Sequence, residues 1–384
     1  MAASSADISF PTARTTEPGV LEVKIVQEEY KHDLAIFRIP TAGAGKPQYR
    51  AGTPVVVNWS SDRNASTFYG YVNHVEQRSG ARDTAVWCKG VSRNFENGLQ
   101  ADYRRRTATS VAGEIARQAH FDADITPHGR VFEALTATGN RAWDFLVANA
   151  KEVGYSLYAK NSRLLMHPRM QMVDRYRSQA PVFTLELDGG VDVARGTLWD
   201  FHPIDGAAPP GSLRHNNVYR GINYWTGTPF AVVGGPAAGR LASKQYTATG
   251  TTYHNLSVSS PEEARWKAQA QAENDRFNLR ATCVAQGAAQ VHQTWPVILD
   301  GVNRQYQGVW FVHRVVHRIV PGEYVMELEL GRDSFGTLGE VPDPRARRVV
   351  ATRNTPAGRP KSAYPPTILS GGQWRAQWSA AGRG

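Results

Sequence analysis

One pattern constrains this chain more than any other: a strand, loop, strand, turn, strand sequence that occurs twice. Pro54-Val-Val-Val is followed by a loop, by Tyr69-Gly70-Tyr71-Val72-Asn73-His74-Val75, by a turn at Ser79-Gly80 and by an alternating strand. Pro296-Val-Ile-Leu is followed by a loop, by Gln307-Gly308-Val309-Trp310, by His313-Arg314-Val315-Val316-His317, by a turn at Pro321-Gly322 and by another alternating strand. In that last strand Met326, Leu328 and Leu330 face one way and Glu327 and Glu329 the other, the period of a half-buried strand. A unit that occurs twice predicts two related β-barrels.

Shorter signals fill the intervals. Leu21, Val23 and Ile25 alternate with polar residues, Leu34 to Ile39 is closed by Pro40, and strands are expected over 54–59, 67–76 and 84–91. The period then changes. Thr107 to His120 places Val111, Ile115 and Ala119 on one helical face, and Asn140 to Val153 does so with Trp143, Leu146, Val147 and Ala150. Gly154 suits the left-handed position that ends a helix, and 155–158 with 163–167 reads as a hairpin. Strands are expected again at 182–187, 196–201 and 217–225, followed by a Gly-rich loop over 231–252 with room for one strand. Ser260-Pro261-Glu262-Glu263 is a capping box with proline at the first helical position, opening a helix to about Phe277. The final strands are expected at 295–299, 309–320 and 323–330.

Composition narrows the class. With 384 residues, 41% hydrophobic and 20% charged, the chain is long enough for two or three domains and too apolar for wholesale disorder. No run of eighteen apolar residues occurs, so no transmembrane helix is expected. The first eighteen residues lack the basic start and apolar stretch of a secretory signal. Cys88 and Cys283 are too few for a disulfide framework or a cysteine zinc site and are expected as buried free thiols in a protein made in a reducing cytosol.

Catalytic motifs are weak. Gly45-Lys46 fails as a phosphate loop, because Pro40 stands where the first glycine belongs and Pro47 where the hydroxyl belongs. His313 and His317 would be a metal pair on a helix, but on a strand four residues span about 13 Å, too far to share one ion. Glu262-Glu263 is explained by capping. No HExxH, Cys-x-x-Cys or Gly-x-Ser-x-Gly occurs, and no catalytic, cofactor-binding or metal residue is assigned.

The net charge of +10 is concentrated at one end: Asp343 to Gly384 holds eight Lys or Arg and one Asp, a net of +7, which leaves about +3 for the rest. Nucleic-acid contact, a solvated tail and an arm that docks on a partner are the three readings. Trp374 and Trp378 favour docking, because tryptophans are frequent interface anchors. The docking candidates are Arg345, Arg347, Arg348, Arg353, Trp374 and Trp378.

At the helical unit the chain resembles a known family. Thr107 to His120, followed after a gap by Phe132-Glu-Ala-Leu-Thr-Ala-Thr-Gly-Asn-Arg-Ala-Trp143-Asp144-Phe145-Leu146 and Ala150-Lys-Glu-Val-Gly154-Tyr155, is similar to phage tail baseplate hub proteins: late control protein D and the N-terminal hub of VgrG proteins. The Ala-rich helix, Pro296-Val-Ile-Leu, Tyr306-Gln-Gly308 and Gly322-Glu-Tyr324-Val-Met-Glu-Leu fit the closing barrel of that family. The resemblance covers about residues 20–338, and the Arg-rich tail departs from it.

The resemblance implies an α+β, mainly β fold with two tube-protein-like β-barrel domains and an inserted small helix-helix-hairpin domain. The expected division is an N-terminal arm (1–18), a first barrel (19–103), the inserted unit (104–170), a second barrel with a helix at 260–277 (171–342), and a basic tail (343–384). It also implies a homotrimer whose six barrels continue a hexameric tail tube. Its partners would be the distal tail or tube ring, a tip, spike or fibre protein and a tape measure protein, with DNA passing transiently during ejection and no membrane insertion of its own. The location would be the virion tail. A lysozyme domain, an OB-fold and a β-helical spike are not expected here. Two other classes compete: a tail-associated cell-wall hydrolase, which needs a cleft with paired carboxylates, and a carbohydrate-binding tail protein, which needs exposed aromatics.

Overall fold

The computed structural model describes residues 5–12, 15–16, 19–40, 49–61, 64–77, 82–185, 197–204, 217–234, 252–254, 260–277, 279–333, 367–369 and 373–375. The chain begins with β1 (Ser5–Phe10), β2 (Thr15–Thr16), β3 (Glu22–Glu28), β4 (Leu34–Pro40), β5 (Pro54–Ser61), β6 (Asn64–Gln77) and β7 (Asp83–Gly90). Then come β8 (Gly98–Thr107), α1 (Ala108–Gln118), β9 (Asp122–Ile125), β10 (Val131–Arg141), α2 (Ala142–Glu152), β11 (Tyr155–Lys160), β12 (Arg163–Pro168) and α3 (Arg169–Tyr176). The remainder is β13 (Val182–Thr184), β14 (Leu198–Pro203), β15 (Asn217–Ile222), β16 (Pro229–Gly234), β17 (Thr252–His254), α4 (Pro261–Asp275), β18 (Leu279–Gln286), β19 (Pro296–Asp300), β20 (Gly308–Val320), β21 (Glu323–Arg332), β22 (Thr367–Leu369) and β23 (Gln373–Arg375).

The fold is mainly β, as the alternation predicts. One sheet runs in the order β14-β18-β21-β20-β3-β4-β7-β6-β5-β1-β2, with β19 on β20 and β13 on β19. It contains two sets in the same order, β3-β4-β7-β6-β5 and β14-β18-β21-β20-β19. The duplication read in the sequence is reproduced rung by rung. Pro54 lies opposite Tyr71 and Pro296 opposite Phe311. Each long strand carries a register shift at the equivalent place, between Val72 and His74 in β6 and between Val312 and Arg314 in β20. Just before it, Val72–Cys88–Ala35–Ile25 forms one row across the first set and Val312–Leu330–Ala281–Pro203 the matching row across the second.

The backbone that leads into each repeat also matches. The Val72 N–H donates to Thr53 O at 2.8 Å and Gly52 N–H to Val72 O at 2.7 Å; Val312 N–H donates to Trp295 O at 3.0 Å and Thr294 N–H to Val312 O at 2.7 Å. Gly52 and Thr294 both have positive φ, +85° and +68°. A β-branched residue there is strained, so Thr294 keeps a turn that glycine makes easily in the other repeat.

The bridge between the sets is β20. Its first half pairs with β19 and its second half, Arg314 to Ile319, with β3. A single core follows, in which Val23, Ile25, Phe37, Val57 and Trp59 pack in one cluster with Cys283, Trp310, Val312, Val315 and Leu328. Each large apolar side chain fully buried there contributes about 1.5–3 kcal/mol. Polar ties cross the same seam: the Trp59 indole N–H donates to Tyr324 Oη at 3.0 Å, and His317 Nδ1 lies 2.7 Å from that oxygen. Both cysteines are buried and free.

Between the sets sits the helical unit with its own core, in which Val111, Ile115, Trp143, Leu146, Leu157 and Met166 meet. Thr107 caps α1 by accepting Ser110 N–H at 3.1 Å, Gly154 has φ +75°, and β11 and β12 form the hairpin. Ser260 caps α4 by accepting Glu263 N–H at 3.1 Å. The unit also holds elements beyond the expected two helices and hairpin. The long strands β8 and β10 pair with each other, β9 joins β12 in parallel, and α3 follows.

Three strands of the main sheet also lay outside the expected set, one of them the two-residue β2, which pairs with β1. Ser5–Phe10, within the segment read as an arm, pairs with β5 and buries Ile8 and Phe10 completely. Leu279–Gln286 places Leu279, Ala281, Cys283 and Ala285 inward. Its inward residues are mostly small, which gives a weak strand signal beside an alanine-rich helix.

Candidate assembly interface

Where β3, β20, the hairpin, α3 and α4 converge, the structure places a buried charged cluster. Inward parity runs Val23, Ile25, Gln27, Glu29, so the strand alternation carries a carboxylate into the interior just past β3. Arg169 Nε donates to Glu29 Oε1 at 2.9 Å, Ser156 Oγ to the same oxygen at 2.6 Å, and His313 Nδ1 lies 3.0 Å from Glu29 Oε2. Arg169 also donates to Tyr30 Oη at 2.8 Å, to Glu273 O at 3.1 Å and to Asn274 Oδ1 at 3.3 Å near the end of α4. His313 is the residue displaced by the register shift in β20; a Cβ on Gly331 would collide with its ring.

Burial alone would raise the Glu29 carboxyl, but Arg169 and the hydrogen bonds from His313 and Ser156 outweigh it and hold the group well below the carboxylate range. Burial outweighs the Glu29 contact at His313 and pushes that imidazole down, so Arg169 supplies the countercharge. The arrangement joins both repeats to the inserted unit with every oxygen of Glu29 engaged. Its chemistry is that of a structural clamp.

A second buried group lies close by in sequence. Asp33 accepts Gln27 Nε2 at 3.2 Å and Gln293 Nε2 at 3.0 Å, again joining the two repeats. Burial pushes its carboxyl up to about 7 despite those bonds. Burial likewise pulls the Lys160 ammonium down to about 8, with Asp33 opposing.

The outer face of the continuous sheet is charged across the seam. A groove of about 460 Å³ is lined by Glu22, Arg38, Glu76, Asp83, Trp87 and Arg318, among others. Three of its four acids are engaged: Arg318 Nε donates to Glu22 at 2.7 Å, Arg38 donates to Asp83 at 3.2 Å, and Trp87 Nε1 donates to Glu76 at 3.1 Å. Arg314 reaches Glu329 at 2.7 Å and Glu28 at 3.6 Å in the next rows.

Of the tail candidates, Trp374 falls in β23, opposite Ile368 of β22. Arg345, Arg347, Arg348, Arg353 and Trp378 lie outside the described residues. His313 and His317 lie on a strand and turn to different partners, Glu29 and Tyr324. No group of three or more His, Cys, Asp or Glu side chains is placed to hold a metal ion among the described residues, and none of their helices is long and apolar enough to cross a membrane. The Glu29 clamp was not anticipated from the sequence. The available signal was a glutamate at an inward position of an alternating strand.

No family model matches the sequence, and no curated protein matches it. Solved structures do. A tail protein from Neisseria meningitidis MC58 aligns with TM-score 0.60 at 13% identity, covering 88% of this chain and 99% of that one. The 43 kDa tail protein of prophage MuSo2 from Shewanella oneidensis aligns with TM-score 0.56 at 10% identity, over 86% and 99% of the two chains. A type VI secretion component from E. coli, described as structurally similar to T4 bacteriophage tail proteins, aligns with TM-score 0.52 at 10% identity, over 85% and 78%. At these identities the likeness establishes a common fold.

Proposed function

We propose that the chain is a structural hub of a phage tail tip or baseplate, located in the virion tail. It assembles as a homotrimer, joins a hexameric tail tube to a trimeric tip, spike or fibre, and forms the channel through which DNA is ejected. The observation that carries this reading is the duplication inside one continuous sheet. A chain with two equivalent sheet units presents six such units as a trimer, which matches a sixfold tube on one side while keeping threefold symmetry on the other. The likeness in fold to tail proteins supports it. The charged sheet face, with acids and arginines side by side and most of the acids already engaged, suits a wall past which DNA moves without being held. The role is structural rather than enzymatic. The two repeats, the helical insert and the basic tail are its working divisions, and the tail residues Arg345, Arg347, Arg348, Arg353, Trp374 and Trp378 dock the tip or tape measure protein.

The test is electron imaging of the purified protein together with its mass from light scattering. A threefold ring with six lobes and an open channel is expected. A monomer that degrades cell-wall material would replace this reading with a hydrolase.

A further inference from the structure

The two repeats differ in length at one connection. In the first, the chain turns from β3 to β4 over residues 29–33; in the second, the equivalent passage from β14 to β18 takes residues 204–278 and includes β15, β16 and α4. The β15–β16 hairpin is pinned at its base, where Tyr219, Phe230 and Val232 pack on Ala264 and Ala268 of α4. Its turn is closed by its own bonds: Asn223 N–H donates to Thr228 O at 2.8 Å, Gly227 N–H to Asn223 O at 2.8 Å, and Trp225 N–H to Asn223 Oδ1 at 3.0 Å. This end of the hairpin carries Ile222, Tyr224 and Trp225 at 64%, 78% and 83% exposure, the three most exposed large apolar side chains among the described residues. The Tyr224 and Trp225 rings stand at 87° with centroids 5.5 Å apart, so the edge of one meets the face of the other and the remaining ring surface lies in water.

We propose that this hairpin tip binds a neutral pyranose unit of a surface polysaccharide, stacked on Trp225 beside Tyr224. The activity is additional to the structural role proposed above and does not depend on it. A pyranose has a face of weakly positive C–H groups, which suits the negative face of an aromatic ring, and a rim of hydroxyls. The tip has partners for both. Asn223, Thr226 and Thr228 set neutral amide and hydroxyl groups around the two rings, with the threonine hydroxyls 2.6 Å apart. Residues 221–239 contain no Asp, Glu, Lys or Arg, so nothing in the tip selects for a charged sugar.

Other occupants fit less well. Ile222, Tyr224 and Trp225 offer on the order of 300–400 Å² of apolar surface, half or less of the ~800 Å² that each partner buries in a stable protein interface. A second copy of this chain has charged grooves to offer. One is lined by Glu22, Arg38 and Arg318, another by Glu28, Lys31 and Lys151, each among others, and neutral rings seated there would take charges out of water without pairing them. A bilayer takes a continuous apolar face, which Asn223, Thr226 and Thr228 interrupt. A saccharide matches the small area, the neutrality and the mixture of ring and hydroxyl.

The experiment applies the full chain to an array of neutral and anionic oligosaccharides and then titrates the strongest neutral ligand by calorimetry. A Kd of about 0.1–1 mM per chain is expected. Trp225→Ala is expected to weaken binding at least about tenfold and Tyr224→Ala at least about threefold, whereas Trp225→Tyr, which keeps a ring, stays within about threefold. The urea midpoint is expected to be the same for all three variants, because both side chains lie outside the core. Binding of no neutral glycan, binding of anionic glycans alone, or neutral binding that survives Trp225→Ala overturns the proposal. Phosphatidylcholine vesicles are the second probe: a blue shift of tryptophan emission that Trp225→Phe abolishes, with no glycan bound, replaces the saccharide by a lipid surface. Mass from light scattering on the same samples keeps the two readings apart. A monomer that binds the glycan overturns the ring and leaves this site; a trimer that binds none overturns the site and leaves the ring.

Discussion

Replacing Arg169 by Met tests whether the clamp holds the two repeats and the insert together. The substitution keeps the length of the aliphatic stem and removes the guanidinium. It deletes the 2.9 Å ion pair to Glu29, the 2.8 Å bond to Tyr30 Oη and the bonds of 3.1 and 3.3 Å to the end of α4. The larger effect is what remains: a carboxylate that is 6% exposed and has lost its countercharge. Breaking a buried ion pair from one side costs about 3–5 kcal/mol.

The pH dependence fixes the sign of that cost. In the native chain the Glu29 carboxyl is depressed, so its contribution is present above the ordinary carboxylate value and is lost only as pH falls through the folded value in strong acid. Without Arg169 burial dominates and the carboxyl rises above its unfolded value, so the deficit is greatest near neutrality and shrinks as the pH is lowered toward the unfolded value of about 4.3. Urea unfolding followed by tryptophan fluorescence measures the loss. The double variant Glu29→Gln with Arg169→Met leaves no bare charge and is expected to recover about half of it. A loss below about 1.5 kcal/mol for Arg169→Met, or one independent of pH, would refute the clamp argument.

Three further outcomes are expected. Asp33, pushed up to about 7, loses stability as pH rises from about 4 to about 7, because the folded state holds a proton the unfolded chain releases; Asp33→Asn is expected to flatten that slope in a melting series across the range and to be the more stable form at pH 8. Tyr324→Phe removes the oxygen shared by Trp59 and His317 and orphans two buried polar groups, at about 1–3 kcal/mol by denaturant titration. Charge-to-neutral changes at Arg345, Arg347 and Arg348 are expected to abolish tip assembly with an intact ring by electron imaging, and unchanged assembly would remove the docking role of the tail.

Local structure was legible wherever a residue's role depends on its near neighbours in sequence. Thr107 and Ser260 cap helices because their side chains reach an amide three residues on. Met326, Leu328 and Leu330 point inward because a strand alternates. The duplication was legible for the same reason, since Pro54 and Pro296 open strands of like pattern. Ala281 and Cys283 hid a central strand because small residues signal it weakly, and Ile8 looked like part of a polar arm because its partner, Val57 of β5, lies some fifty residues away.

Side-chain period and composition thus carried two like β units with a helical segment between them and a basic stretch beyond. Tertiary structure alone decided that the units share one sheet. That depends on β20 running past β19 far enough to take β3 as a second neighbour, a pairing between residues nearly three hundred apart. It also decided that Glu29, Arg169 and His313 meet, because three chemically ordinary residues become a clamp only when a strand, a helix start and a register shift are brought to one point and water is excluded from it.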